Sequence, residues 1–220
     1  MKKKNSKWKY AVGIMLFMII NLLLKLFVVD VFKVHGYSMY PTLNNGSYVF
    51  ASKLASGVRM HRNVLEMPWL NNVCYYLFPN EWADSVFAHT PNTFKRLGKN
   101  TIERNDVVVF NMPYYLSSVG VKRCIGMPGD SIGLYSEKKG LLSVIPYEGM
   151  RLDSKLFSLS QQDTLKTKFL FIKDESNNEL VATMNFYFLQ GDNVESSIDS
   201  RMWGLLPEDH IIAKVLFTLF

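Results

Sequence analysis

Ser38 is the residue from which chemistry can first be argued. It stands in the stretch Gly36-Tyr37-Ser38-Met39-Tyr40-Pro41-Thr42-Leu43. Gly36 permits close backbone approach or a positive φ, and Pro41 stops a helix and biases Tyr40 towards extended or turn geometry. A serine in so bent a segment can expose its Oγ, although the same composition also serves ordinary turns. An exposed hydroxyl becomes a nucleophile for acyl transfer when a nearby base takes its proton. His35, three residues upstream, is one candidate base, because histidine is the commoner partner of serine. That chemistry generally wants a carboxylate behind the imidazole, and Asp30, beside a long apolar run, suits the task poorly.

Lys122 is the second candidate. It lies in Gly120-Val121-Lys122-Arg123-Cys124-Ile125-Gly126-Met127-Pro128-Gly129-Asp130, where Pro-Gly-Asp marks a turn between two strand-like runs. Read alone, Lys122-Arg123 is an ordinary solvated basic pair. Adjacent strand residues point to opposite faces, however, so Gly120, Lys122 and Cys124 share one side and Val121 and Arg123 the other. One basic residue can therefore be driven towards an apolar cleft. A lysine has a reference pKa of about 10.4 and is a base only where burial disfavours its charge. The four histidines show no metal-ligand spacing, and the two cysteines, Cys74 and Cys124, cannot close a zinc site alone. A disulfide is open to them outside the cytoplasm, but two unrelated buried thiols are the better reading.

The elements that must position these residues begin with an anchor. Five lysines fall in residues 1–9, and the apolar run 10–29 carries a single charge, Lys25. Twenty helical residues span about 30 Å, the hydrocarbon thickness of a bilayer, and Lys25 can snorkel at the far interface. No small-x-small cleavage site follows the run, which favours a retained transmembrane helix over a cleaved signal peptide. The lysines place the N-terminus in the cytoplasm and everything after about residue 30 outside. Removing them leaves 20 basic against 19 acidic residues, so the basic balance is a tail effect and gives no support for nucleic-acid binding. Beyond the anchor, residues 47–51, 104–110, 185–189 and 211–220 read as strands. Residues 52–103 form an excursion with an aromatic middle. It is either a loop-and-hairpin unit packing its own small cluster or a lipid- or substrate-facing flap. Residues 133–180 are a β-rich excursion with charged loop tips.

Four stretches, taken together and in order, resemble the boxes of bacterial type I signal peptidases. Ser38-Met39-Tyr40-Pro41-Thr42-Leu43 resembles S-M-x-P-T-L. Arg104-Asn105-Asp106-Val107-Val108-Val109-Phe110 resembles R-G-D-V-V-V-F, with Asn105, which tolerates positive φ, in place of Gly. Lys122-Arg123 to Asp130 resembles K-R-x-x-G-x-P-G-D. Gly191-Asp192-Asn193-Val194-Glu195-Ser196-Ser197-Ile198-Asp199-Ser200-Arg201-Met202-Trp203-Gly204 resembles G-D-N-x-x-x-S-x-D-S-R-x-W-G. Val194 replaces the usual Arg, which puts a local ion pair in doubt. Each box is weak alone; their sequence is specific.

The resemblance implies a membrane-anchored serine endopeptidase that removes signal peptides from exported preproteins. In it Ser38 is the nucleophile and Lys122 the general base, with Gly36 and Met39 shaping the nucleophile turn. Ser200 orients Lys122, and Asp199 and Arg201 form a structural ion pair. No metal or cofactor is implied. The position where some members add an oxyanion-hole hydroxyl is Gly36, so the second donor is unassigned. Cleavage after small-x-small sites, such as Ala-x-Ala, is implied by the family alone.

The expected architecture is thus mostly β: a basic tail (1–9), a transmembrane helix (10–29) and an extracytoplasmic domain of antiparallel sheets (30–220) at the outer face of a bacterial cytoplasmic membrane. Its partners are exported preproteins and the lipid bilayer, with no nucleic acid. The alternatives are a peptidase dedicated to one pilus or conjugation precursor, and a membrane-anchored β-domain that binds exported proteins without cutting them. A self-cleaving repressor relative would carry a DNA-binding domain where this chain has its apolar run.

Overall fold

The structure is a computed structural model of the 220-residue chain, and it describes residues 5–60, 63–67, 70–78, 82, 85–86, 89, 95–113, 118–131, 144–153, 171–174 and 179–219. Helix α1 runs over Asn5–Phe27. It is long and apolar enough by length and composition to cross a membrane. Among the described residues most of its apolar side chains stay exposed, Ile14, Phe17 and Leu23 included, and that face enters no core there.

The run expected as helix to Val29 ends two residues earlier. Val29 instead opens strand β1, Val29–Lys33, which pairs along its length with β2, Tyr48–Ser52. β-Branched Val29 and Val31 suit a strand, and a ready partner there outweighs continuation of the helix. Further along come β3 (Val58–Arg59), helix α2 (Leu70–Leu77), β4 (Arg96–Leu97), β5 (Val107–Asn111) and β6 (Val119–Gly126). The remainder contributes β7 (Arg151–Asp153), β8 (Phe171–Asp174), β9 (Glu179–Ala182), β10 (Phe186–Gln190), β11 (Leu206–Pro207) and β12 (Ile211–Leu219). Seven of these form one antiparallel sheet in the order β1-β2-β12-β5-β6-β10-β11.

Alternation divides the core between the two faces of that sheet. Val108 and Phe110 on β5, Cys124 on β6 and Tyr187 and Leu189 on β10 join Trp203 and Ile211 in one cluster. Val109 on β5 turns the other way, to Ala51 and Ala213. Phe186 and Phe188 on β10 pack with Ile145, Ala182 and Leu205 beneath the three-stranded sheet β7-β9-β8. Asn105, in the turn before β5, has φ 73°, the left-handed conformation that the Gly of the related box would take freely.

The excursion 52–103 contains a helix where hairpin and loop were expected. It packs a small cluster of its own, Leu65 and Cys74 with Trp82 and Val86 against them. Its outer side leaves Val73, Tyr76 and Leu77 exposed. In the excursion 133–180, Lys173 and Asp174 lie in β8 opposite Leu180 and Glu179 rather than at a loop tip; the expected tips at 137–139 and 177–178 fall outside the described residues. Both cysteines are buried and free. Desolvation pushes the Cys124 thiol up to about 12.

Candidate active site

Strand β6 delivers Lys122. It lies opposite Val108 of β5, on the same side as buried Cys124. Its stem therefore crosses an apolar surface, and the residue is only 7% exposed. The Nζ reaches the Ser38 Oγ at 2.5 Å. Burial lowers the Lys122 pKa, and the carboxylates of Asp199 and Asp192 offset part of that effect. Solvent is scarce, no carboxylate forms an ion pair with the amine among the described residues, and a hydroxyl sits on it. That environment makes a neutral amine accessible, and its lone pair can then accept the Ser38 proton.

The Ser38 segment is bent as Gly and Pro require. Gly36 has φ +88° and its N–H donates to Asn45 Oδ1 at 3.0 Å. Tyr40 N–H donates to Tyr37 O, and Leu43 N–H to Met39 O. Met39 and Leu43, each 2% exposed, sink into a cluster with Val34 and Val49. The turn is thus pinned on its inner side while Ser38 stays partly accessible.

The loop after β10 pins it on the other side. Asn193 N–H donates to Ser38 O at 3.0 Å, and Asn193 Nδ2 donates to Tyr37 O at 3.2 Å. This approach requires Gly191: a Cβ there would stand 2.1 Å from Ser197 Oγ and 2.5 Å from Ser38 O. Arg123, on the opposite face of β6 from Lys122, clamps Asp192 through two hydrogen bonds of 2.7 and 2.6 Å. Its Nη1 also donates to Asn105 O. The backbone carbonyl of Val194, where the related box has Arg, accepts from Arg201 Nη2 at 2.7 Å. The bonds from Arg123 raise its own pKa and lower that of Asp192 against the opposing effect of burial.

Asp199 and Arg201 form a two-pronged ion pair, with Nε–Oδ1 and Nη2–Oδ2 both 2.8 Å. Asp199 is fully buried. Burial alone would raise its pKa, but the Arg201 guanidinium and the Gly191 N–H hold it below the usual carboxylate range. The pair shapes the loop, since Asp199 Oδ2 accepts from Gly191 N–H at 3.0 Å.

Ser200 makes its hydrogen bond to the backbone of β10. Its Oγ accepts the Leu189 N–H at 2.9 Å, fastening the helical turn Ser200–Trp203 to β10, and it makes no hydrogen bond to Lys122. The hydroxyl beside the pair is that of Ser197. It is buried, lies against Gly191 next to the Ser38 backbone, and faces the Asp199 carboxylate, whose pKa it helps to lower. The two serines are three residues apart in one polar loop, and nothing in their local sequence says which of them fastens the backbone of β10. His35 is exposed, and Asp30, the acid that would have had to support it, is held by Lys53 at 2.9 Å.

A β protein with an apolar N-terminal helix and a serine hydroxyl on a buried lysine amine has the constellation of a serine hydrolase. The sequence matches the family described as signal peptidase, peptidase S26, over residues 7–220. The chain belongs to that family and is a serine peptidase. It is 24% identical to a signal peptidase I of Buchnera aphidicola, an alignment covering 91% of this chain and 72% of the relative. It is also 24% identical to a signal peptidase I of Rickettsia bellii, over 100% of this chain and 74% of that one. A signal peptidase I of Rickettsia massiliae is 27% identical, over 98% and 81%.

Proposed function

We propose that this protein removes signal peptides from exported preproteins, with Ser38 as nucleophile and Lys122 as general base. The observation that carries the reading is the 2.5 Å contact between Ser38 Oγ and an amine that is 7% exposed. The neutral Lys122 amine takes the Ser38 proton as Oγ attacks the scissile carbonyl, and returns it to the departing amine. The same amine then activates the water that hydrolyses the ester. The Ser38 N–H, at the bend, is the natural first donor to the oxyanion. Ser200 serves the pair through the loop that it fastens to β10, not through a bond to the amine.

The exposed apolar surface of α1 supports a membrane anchor. The lysines before it support an N-terminus in the cytoplasm and a catalytic domain at the outer face. Cleavage after small-x-small sites belongs to the same reading.

The test is cleavage of a preprotein carrying an Ala-x-Ala site by the full chain in detergent. Ser38→Ala and Lys122→Ala each lower the rate by about 10⁴-fold, because both act as one unit. The wild-type rate rises with pH as Lys122 loses its proton, and the rise lies below the ordinary lysine range because burial lowers this pKa. Comparable cleavage by Lys122→Ala would remove the lysine from the mechanism.

A further inference from the structure

The proposed reaction leaves a second buried lysine without a task. Lys53 follows β2 directly and is 8% exposed. Its Nζ forms an ion pair with Asp30 Oδ2 at 2.9 Å. The same Nζ donates to the backbone carbonyl of Lys25 at 2.7 Å. Lys25 lies in the last turn of α1, where carbonyls have lost their intrahelical partners. A lysine from the sheet therefore caps the anchor, twenty-eight residues away in sequence.

The main chain reinforces the connection. Val28 N–H closes the helix onto Leu24 O at 2.9 Å, and Lys53 N–H donates to Val28 O at 2.8 Å. Only Val28 separates α1 from β1. β2 is paired over its whole length with β1 on one side and with β12 on the other. Beyond β1, the loop carrying Ser38 is closed by hydrogen bonds from Val34 N–H to Ser47 O and from Gly46 N–H to Val34 O. No unpaired linker lies between the helix end and that loop. A cation and a carboxylate are costly to desolvate, and each needs the other once buried. Here the cost is borne at the junction between anchor and sheet.

We infer that Asp30 and Lys53 form a clasp that makes the anchor helix and the catalytic sheet one rigid body, so that Ser38 stands at a set height above the bilayer and substrates are selected by how far their scissile bond lies from the membrane surface. Asp30 and Lys53 are positioning residues: neither touches the reacting atoms. This rests on the reading of Ser38 and Lys122 as a membrane-bound signal-peptide peptidase.

The experiment uses the full chain in vesicles of phosphatidylcholine and phosphatidylglycerol. The substrates are a series of membrane-spanning precursors whose Ala-x-Ala site is moved outwards one residue at a time, and a soluble peptide with the same site. Wild type is compared with Lys53→Met and with a chain carrying Gly-Ser inserted between Val28 and Val29, which loosens the junction without stranding a buried charge. Wild type gives one sharp optimum of site position. Both variants lose about tenfold on the best-placed precursor and flatten the profile, while their rates on the soluble peptide stay within about twofold. A flat wild-type profile, or variants that keep the wild-type profile, would overturn the clasp. Spin labels on Ile14→Cys and Leu216→Cys give a second readout that does not need cleavage. The distance distribution is narrow in wild type and broad in both variants; a broad one in wild type excludes the rigid body. Failure of wild type to cut even the soluble peptide would sink the peptidase reading and leave the distance measurement to decide the clasp.

Discussion

Two lysines, Lys53 and Lys122, are buried to nearly the same extent, 8% and 7% exposed, in two regions of one sheet. Lys53 meets a carboxylate and a helix-end carbonyl. Lys122 meets a serine hydroxyl, and the nearest carboxylates, Asp192 and Asp199, are engaged by Arg123 and Arg201. Burial is therefore not what distinguishes the two lysines. The distinction is made by where the acids go. Each arginine holds an acid whose charge reaches the Lys122 amine, whereas at the anchor junction Asp30 pairs with Lys53 itself and, at 3.9 Å, with Lys25.

The comparison can be broken first through the loop that holds Ser38 against Lys122. Gly191→Ala places a Cβ into Ser197 and the Ser38 carbonyl. It moves Ser38 off the amine and lowers kcat by about a hundredfold. Circular dichroism stays that of wild type, since the sheet is untouched. A variant of wild-type kcat would show that the close approach of this loop has no bearing on the pair.

The two lysines are next expected to respond to the same substitution with opposite signs. Lys53→Met leaves Asp30 without its near partner and lowers stability by about 2 kcal/mol, read as a shift in the urea midpoint. Lys122→Met does the reverse, by about 1 kcal/mol at neutral pH, because it replaces a buried amine by an apolar side chain of similar length. The pH dependence follows from the lowered Lys122 pKa. The unfolded chain holds this proton more tightly than the folded one, so wild-type stability rises with pH between the folded value and the ordinary 10.5. The advantage of Lys122→Met is complete below the folded value and vanishes above 10.5. Urea midpoints of both proteins across that range test it. A gain that grows with pH would contradict the direction of the shift.

Much of the fold could be read from local pattern. Val107 to Phe110 and Phe186 to Leu189 are β-branched or aromatic runs too short for helices, and both are central strands. Alternation put Lys122 on the face of Cys124 and Arg123 on the other, and the structure has that arrangement. Helix α2 was not legible, because Leu70–Leu77 is two turns long and its aromatic content reads equally as strand. Ser200 and Ser197 could not be told apart, since the choice depends on which hydroxyl meets Leu189 N–H on β10. Asn193 matched its box, yet its grip on Tyr37 and Ser38 spans 156 residues in the case of the side chain. The end of α1 at Phe27 depends on β2 standing ready to pair.

What the sequence determined by itself is the apolar length of α1, the turn chemistry around Ser38, and the period-two faces of β5, β6 and β10. These follow from steric preference and solvent partition over neighbouring residues. What only the tertiary structure decided is which groups meet. Ser38 and Lys122 are 84 residues apart, and Lys53 and Lys25 are 28 apart. A lysine amine is a solvated cation until the fold removes its water and assigns the nearby acids elsewhere. That assignment depends on strand order, which no local stretch of the chain encodes.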